Sequence, residues 1–411
     1  MNNEIIMNLQ NTETSFASKS NQDLQKARVL YSIMSVNWIV KTGTLLLPLA
    51  LKVRLPIRRL IHNTIFTQFV GGKSLTDTKD VLSKLRESNV MAILDYGAEG
   101  KMNEKSFDTV CNEFISLIDY ASDQPDVPFI SIKITGLARF ALLEKINSEI
   151  MTEEAGIKIN ISHLSEAEVE EWDRVLDRIG RVCSRGEEKN VGVLVDAEES
   201  WIQDTIDAVT MEMMNKHNRK RVIVFNTIQF YRVDRLKFLI LIATISEKEG
   251  YTPGIKIVRG AYMEKERSRA AELNYSSRIQ PDKISTDRDF NSALEYCIEN
   301  LHKISVIVAS HNDRSVLLAV ELLDRYNFGK DHPNVHFSQL YGMSDNITFN
   351  LAKAGYQVSK YLPYGPLEDV IPYLLRRAQE NTSVSNQTGK ELRLITSEVK
   401  RRKLAASGLN A

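Results

Sequence analysis

The sequence predicts an α/β fold: a (β/α)8 barrel preceded by an N-terminal helical arm. Eight short β-branched runs recur from residue 88 onward. Each run is almost continuously apolar, which is typical of parallel strands buried on both faces. Helix-like segments separate the runs, and gaps of mostly about 20–50 residues leave room for one or two helices in each crossover.

Composition limits the classes of protein to consider. The chain has 411 residues, of which 43% are hydrophobic and 26% are charged. This apolar fraction is too high for a disordered chain. Lysine plus arginine equals aspartate plus glutamate at 53 each, so the net charge gives no general footprint for nucleic acid. The cysteines are odd in number and far apart, which argues against a disulfide framework. They are Cys111, Cys183 and Cys297.

The N-terminal region is predicted to contain a disordered head over residues 1 to about 20 and a helical arm over about 22–75. It lacks the basic start and apolar core of a secretory signal. The most apolar run, at 42–61, has an uncharged stretch of about ten residues, too short to span a bilayer. A packed helical arm is favoured, and an interfacial helix at a membrane surface is the alternative. Apolar residues at helical spacing mark the arm: Val29, Tyr31, Ile33, Met34, Trp38 and Ile39.

The body of the barrel is predicted over residues 76–400, with 1–75 as head and arm and 401–411 as a tail. A doubly wound open sheet is the rival fold, but DYGAEGK after the first run lacks GxGxxG spacing. The long gap at 137–189 contains a strongly amphipathic helix. The eight predicted strand runs are 89–97, 127–136, 190–199, 221–229, 254–262, 303–312, 334–342 and 357–365.

Polar residues stand within the runs or where they end, and in a barrel of this type the chemistry lies at the carboxyl ends of the strands. Lys133 and Asp196 each interrupt an apolar run, so each needs a partner. Structural ion pairs between neighbouring strand ends are the competing explanation for any one of them. The other candidates are Gln229, Lys256, Arg259, Gly260, Ala261, Tyr262, Ser310, His311 and Tyr361.

A helix is predicted after the eighth run, beginning near Pro366. On it Tyr373, Arg376 and Arg377 stand at i, i+3 and i+4, so the ring lies beside both arginines. The two guanidinium groups could bind a carboxylate. A helix salt bridge to Glu380 is the alternative.

Metal and serine-nucleophile chemistry find no support, because no CxxC, HExxH or GxSxG motif occurs. A Schiff base on Lys133 is an alternative of a different class. It leaves the paired arginines and the VRGAY segment unexplained.

Read together, the segments SIKITGL, VLVDAEES, IKIVRGAYMEKER, ASHN and YLPYG…IPYLLRRAQENTS resemble the proline dehydrogenase family, over roughly residues 30–390. The resemblance implies a distorted (β/α)8 barrel and non-covalent FAD. It implies oxidation of L-proline to Δ1-pyrroline-5-carboxylate, with hydride passing from the proline δ-carbon to flavin N5. A membrane quinone is the implied electron acceptor, as in the first step of proline breakdown to glutamate.

The resemblance also implies roles for individual residues. Asp196 and Lys256 are the implied catalytic residues, although bacterial members commonly have arginine where Lys256 stands. Lys133, Arg376 and Arg377 are implied to bind the proline carboxylate, and Tyr262, Tyr361 and Tyr373 to pack around its ring. The implied FAD contacts are Val195, Gln229, Lys256, Arg259, Gly260, Ala261, Ser310, His311 and Glu380.

Alternatives remain at this stage. A dehydrogenase for hydroxyproline or another cyclic amino acid would use the same motifs, and a non-catalytic FAD-binding protein is a further possibility. A cytoplasmic location is expected, with peripheral attachment to the inner face of the cytoplasmic membrane as the alternative.

Overall fold

The computed structural model describes residues 7–36, 38, 40, 42, 58–97, 102–153, 156–383 and 387–407. Eight strands form a closed parallel barrel, and all eight lie inside the predicted runs. The barrel strands are β1 Met91–Tyr96, β2 Phe129–Ile132, β5 Gly192–Val195, β6 Val224–Gln229, β7 Gly254–Val258, β8 Ser305–Ala309, β9 Val335–Leu340 and β10 Val358–Tyr364. Around the barrel they follow the order β1, β10, β9, β8, β7, β6, β5, β2.

Helices lie between the strands, as the spacing predicts. The first helices are α1 Thr12–Ser15, α2 Asn21–Met34, α3 Arg58–Ile61, α4 Thr67–Phe69 and α5 Lys79–Arg86; a π-helical turn, His62–Phe66, joins α3 to α4. The helices of the barrel body are α6 Glu104–Ser122, α7 Phe140–Asn147, α8 Glu166–Lys189, α9 Ser200–His217, α10 Arg235–Glu249, α11 Met263–Glu272, α12 Lys283–Glu299, α13 Asp313–Arg325 and α14 Asp345–Lys353. The last two are α15 Leu367–Ser383 and α16 Gln387–Ala406.

The long gap at 137–189 holds the predicted amphipathic helix, which is α8. Ser165 begins it with a capping box to Glu168, and Asn190 ends it in the left-handed conformation. The gap also holds helix α7 and a small antiparallel pair, β3 Met151–Glu153 with β4 Gly156–Lys158. The sequence pattern did not predict this pair, because a three-residue strand has too little alternation of apolar and polar residues.

The described residues fall into two compact units. One comprises those within Ala92–Ser310 and Leu318–Phe337, and it carries most of the barrel strands. Inside its barrel wall, the rings of Phe129 and Phe225 meet edge to face with centroids 5.5 Å apart, and His336 lies 5.1 Å from Phe129. These rings fill the barrel interior at the amino-terminal ends of β2, β6 and β9.

The other unit comprises the described residues within Met1–Met91, His311–Leu317 and Ser338–Ala411. Its core joins the N-terminal helices to α15 and α16, and it includes Phe16, Leu24, Tyr31, Tyr373 and Leu394.

The prediction of a disordered head is wrong for the part that the structure describes. Residues 12–15 form α1, Asn11 caps it, and Phe16 is buried in the core. The composition of the segment is mostly polar, but the one buried ring of Phe16 is enough to hold a short segment against the core.

Helix α2 confirms part of the predicted arm. Tyr31 and Met34 are buried, whereas Val29, Ile33 and Trp38 are exposed. The membrane-surface alternative depends on 45–61, most of which lies outside the described residues. Within the described residues, no helix has the length and apolar character needed to cross a bilayer.

Candidate active site

Strand register in the first unit brings four charged side chains to one face at the carboxyl ends of the strands. Thr227 on β6 is paired with Lys256 on β7, and Ile132 on β2 with Val195 on β5. The next residues along β2 and β5, Lys133 and Asp196, therefore share a register position. Because side chains alternate between the two faces of a strand, Asp196 and Lys256 lie on one face of the sheet and Val195 on the other. Val195 can therefore reach a ligand on the Asp196 face only through its main chain.

The four side chains form an alternating chain of charges. The Lys133 Nζ lies 3.5 Å from the Asp95 Oδ1 and 3.6 Å from the Asp196 Oδ2. The Lys256 Nζ donates a hydrogen bond to the Asp196 Oδ1. Asp95, Lys133 and Lys256 are buried, and Asp196 is nearly so. Two carboxylates thus balance two ammonium groups, which is the condition for keeping such charges inside a protein.

Asp95 is a residue that the sequence analysis did not single out. It lies within the first predicted run, and it interrupts an apolar strand as Lys133 does. The same criterion would therefore have found it. Lys133 therefore lies between two carboxylates, those of Asp95 and Asp196.

Gln229 connects two of the loops that follow the strands. Its Nε2 donates to the main-chain oxygen of Glu198 (2.8 Å), and its Oε1 accepts from the main-chain nitrogen of Ala261 (3.4 Å). The Glu198 carboxylate in turn accepts hydrogen bonds from the main chain and hydroxyl of Thr135. The loops after β2, β5 and β7 are therefore held together by one buried amide and one buried carboxylate.

Arg259 lies just past β7 and is held from three sides. Its guanidinium donates to the Asp287 Oδ1 (2.7 Å) and to the Ser310 Oγ (2.8 Å), and it lies 4.2 Å from the centroid of the Phe290 ring. Burial lowers the pKa of Arg259, against the opposing effect of the Asp287 carboxylate. The arginine is nonetheless fixed as a positive group beside Ser310.

The next residue, Gly260, adopts a φ of +132°, a conformation open to glycine. A Cβ there would lie 2.4 Å from the ring of Tyr231. The Tyr231 hydroxyl is buried and has no hydrogen-bond partner among the described residues. Burial raises the pKa of this hydroxyl well above its usual value. Tyr262 follows at the start of α11 and is half-buried.

The remaining predicted site residues belong to the second unit. Tyr361 is buried on β10, and Tyr373 is buried on α15. The Arg377 guanidinium lies 5.0 Å from the Tyr373 ring centroid, as the helical spacing predicts. Arg376 is half-buried on the same helix. The side chain of Glu380 lies outside the described residues, so the salt-bridge alternative on α15 stays untested.

His311 follows β8, and its Nδ1 lies 2.9 Å from the hydroxyl of Ser344. Ser344 itself is wholly buried in the turn between β9 and α14. The sequence analysis found His311 but not Ser344, since a serine in a turn has no distinctive pattern.

The closed parallel barrel with helices between its strands is a (β/α)8 barrel, and its charged residues lie at the carboxyl ends of the strands, where enzymes of this fold have their active sites. The family model for proline dehydrogenase matches residues 78–390. The chain therefore belongs to the proline dehydrogenase family, and it is an enzyme of the oxidoreductase class.

Individual relatives agree with this family. The chain is 30% identical to proline dehydrogenase 1, mitochondrial, of Dictyostelium discoideum, over 95% of this chain and 74% of the relative. It is 31% identical to hydroxyproline dehydrogenase of Xenopus laevis, over 94% and 88%. Among solved structures it resembles proline utilization A from Bdellovibrio bacteriovorus with a TM-score of 0.69 and 22% identity. That likeness covers 91% of this chain and 38% of the longer bacterial protein, and it supports the fold alone.

Proposed function

We propose that this chain oxidises L-proline to Δ1-pyrroline-5-carboxylate with a bound FAD and delivers the electrons to a membrane quinone. The observation that carries the proposal is the neutral chain of Asp95, Lys133, Asp196 and Lys256 at the carboxyl ends of the barrel strands. It supplies a fixed cation and a fixed carboxylate without excess charge.

Three features of the structure fit a flavin dinucleotide. Gly260 has a φ of +132° directly after Arg259, and glycine is common where the main chain approaches a ligand closely. The buried hydroxyl of Tyr231 is left without a partner among the described residues. Arg259 presents a fixed positive charge next to Ser310. These groups would hold the cofactor with the remaining proposed contacts, namely Val195, Gln229, Lys256, Ala261, His311 and Glu380.

When bound, FAD supplies the acceptor for the hydride that leaves the δ-carbon of proline. The protein residues bind and orient the substrate and exclude water. We propose that Arg376, Arg377 and Lys133 bind the substrate carboxylate, since guanidinium groups match it in a bidentate manner. The amine nitrogen of the substrate must be neutral for the imine to form. Tyr262, Tyr361 and Tyr373 are proposed to exclude water around the ring, which disfavours the ammonium form of the substrate.

The hydrogen bond from Lys256 to Asp196 supports a role for Asp196 in holding Lys256 in place. The Lys256 ammonium group would stabilise the electron-rich reduced ring of a bound flavin, and the Asp196 carboxylate would fix where that ammonium group lies. Lysine keeps the charge that arginine would supply there but offers no planar fork.

Oxidation of hydroxyproline is the second candidate, and the similarity to a hydroxyproline dehydrogenase favours keeping it. An enzyme for hydroxyproline would differ from one for proline in the width of the pocket that binds the substrate ring, and Tyr361 and Tyr373 are the proposed walls of that pocket. A Schiff base on Lys133 is weakened as an alternative. Such a lysine must lose its charge to attack a carbonyl, and two carboxylates within 3.6 Å of its Nζ oppose that loss.

The deciding experiment is an absorbance spectrum of the purified protein before and after addition of L-proline without oxygen. Flavin bands that bleach with L-proline would support the proposal, and faster bleaching with hydroxyproline would support the second candidate. A colourless protein that takes up no FAD would overturn both. Borohydride trapping of a substrate on Lys133 would then support the lyase.

A further inference from the structure

A buried polar cluster in the second unit surrounds His311, and none of its other members enters the roles described above. It consists of Ser344, Gln387, Lys390 and Glu391. Ser344 has an exposure of 0%, and Gln387 and Glu391 are also buried. The three helical members stand at i, i+3 and i+4 on α16, so they share one face of that helix.

The hydrogen bonds of the cluster can be followed donor by donor. The two N–H groups on the Gln387 Nε2 reach the Ser344 Oγ (2.9 Å) and the Glu391 Oε1 (2.7 Å). The Glu391 Oε1 also accepts from the main-chain nitrogen of Ser344 (2.8 Å). A carboxylate oxygen accepts hydrogen bonds, so it orients the Gln387 amide with its nitrogen inward. The Ser344 hydroxyl therefore already receives one hydrogen bond from Gln387.

Among the described residues, the proton of the Ser344 hydroxyl then has two acceptors within reach. The Glu391 Oε1 lies 3.5 Å away and already accepts from two donors. The His311 Nδ1 lies 2.9 Å away. Hydrogen bonds weaken steeply at such long distances, so the proton points to the His311 Nδ1. Burial raises the pKa of Glu391, yet its Oε1 remains an acceptor in either protonation state.

Helix α16 also contacts the main chain of His311. The Lys390 Nζ lies 3.4 Å from the main-chain oxygen of His311 and 2.6 Å from the Asp313 Oδ1. The family model ends at residue 390, so Glu391 lies outside the matched region. Helix α16, at the edge of the family domain, thus contacts the main chain of His311 directly through Lys390 and acts on its side chain through Ser344.

We infer that Ser344 is a positioning residue, held by Gln387 and Glu391, that keeps the His311 Nδ1 as a hydrogen-bond acceptor and so leaves the Nε2–H as the donor toward the cofactor. This rests on the proposed function, in which His311 contacts FAD. A ring held in this way presents one fixed N–H to an oxygen acceptor of the cofactor. Since it is held from the protein side, the ring needs no reorganisation when the cofactor binds.

The test uses the full-length holoenzyme labelled with ¹⁵N at histidine. In the wild type, the His311 Nδ1 resonance should have the shift of a hydrogen-bonded acceptor. In Ser344→Ala it should move toward that of a free acceptor, and in Gln387→Met it should move the same way by less. The Kd for FAD, from fluorescence of released flavin, should rise about 3–10-fold in Ser344→Ala, as expected for the loss of one net hydrogen bond.

Thr388→Val is the matched control, because the Thr388 hydroxyl is buried next to Gln387 and has no partner in the described part of the chain. It should leave the resonance and the Kd unchanged. A protonated Nδ1 in the wild type, or an Nδ1 resonance unmoved in both Ser344→Ala and Gln387→Met, would overturn the inference. Absence of FAD binding in the wild type would instead refute the proposed function, while the resonance would still test the hydrogen-bond chain.

Discussion

At the scale of single residues, the Asp196 carboxylate interacts with two lysine side chains. Its carboxylate accepts from Lys256 and lies 3.6 Å from the Nζ of Lys133. Removing one partner of a buried ion pair leaves an uncompensated charge, which costs more than the pair itself contributes. Asp196 is therefore expected to contribute both to the stability of the fold and to catalysis, and measuring unfolding and turnover together separates the two contributions.

Asp196→Asn should lower turnover with proline and destabilise the protein by about 3–5 kcal/mol, because it removes the carboxylate that pairs with the buried ammonium groups of Lys133 and Lys256. Chemical denaturation and steady-state kinetics check the two effects. The control is Asp177→Asn, whose pair with Arg181 is 4.0 Å long and exposed, so it should change stability by less than about 1 kcal/mol. Wild-type turnover and flavin retention in Asp196→Asn would make Asp196 structural only.

Arg376→Ala should raise the KM for proline by about 10–100-fold and leave FAD bound, since a charge-assisted hydrogen bond contributes on the order of 1.5–3 kcal/mol. Initial rates across proline concentrations and the flavin content of the purified variant are the measurements. Arg393→Ala removes an exposed arginine from α16 and serves as the control. An unchanged KM in Arg376→Ala would contradict carboxylate binding by this residue.

At the scale of elements, the turn from β9 into α14 is fixed by buried charges. The Asp345 carboxylate lies 2.8 Å from the Nζ of Lys360 on β10 and 2.7 Å from the Nζ of Lys19, which follows α1. Burial alone would raise the pKa of Asp345, but the two ammonium groups lower it to about 2. Burial lowers the pKa of Lys360 itself. One carboxylate therefore joins the N-terminal region to a strand and a helix of the same unit.

This pairing predicts how acid acts on stability. The Asp345 pKa is about 2 in the folded state and near 3.8 when unfolded. Its contribution is therefore fully present above pH 3.8 and is lost as the pH falls through about 2. Asp345→Asn should be less stable than wild type by about 3–5 kcal/mol at pH 7. That gap should narrow by on the order of 2 kcal/mol between pH 4 and pH 2.

Urea denaturation at several pH values measures the gap. The control is Asp119→Asn, which alters a half-exposed pair with Arg185 and should change the free energy of unfolding by less than about 1 kcal/mol. A constant gap for Asp345→Asn across this range would show that the carboxylate keeps an ordinary pKa.

At the scale of the whole molecule, the sequence predicted the eight barrel strands because buried parallel strands leave long apolar runs. It also identified Lys133 and Asp196, since charges inside such runs are costly. It did not reveal the Asp95 contact or the cluster of Ser344, Gln387 and Glu391. These depend on register and on pairs more than 30 residues apart in the chain, which leave no local pattern.

Long-range packing also explains why the disordered head was a wrong prediction. Phe16 and Tyr31 belong to the core that α15 and α16 complete, and the Tyr31 hydroxyl donates to the main-chain oxygen of Gly342 (2.6 Å). Deleting the N-terminal region would therefore remove core residues, each worth about 3–5 kcal/mol if truncated. A test of membrane binding by this region needs point substitutions in place of a deletion.

If the electrons pass to a membrane quinone, the interfacial alternative for the segment at 45–61 predicts that this segment docks the protein to the bilayer. Leu45→Ser, Leu46→Ser and Leu47→Ser combined should reduce flotation with liposomes of anionic lipid at least tenfold, because each change withdraws apolar area from the interface. They should leave anaerobic bleaching of the flavin by proline unchanged. Val29→Ser with Ile33→Ser, on the exposed face of α2, is the matched control and should float as wild type. Equal flotation of all three proteins would exclude 45–61 as the membrane contact, whereas loss only in the α2 variant would move that contact to the exposed face of α2.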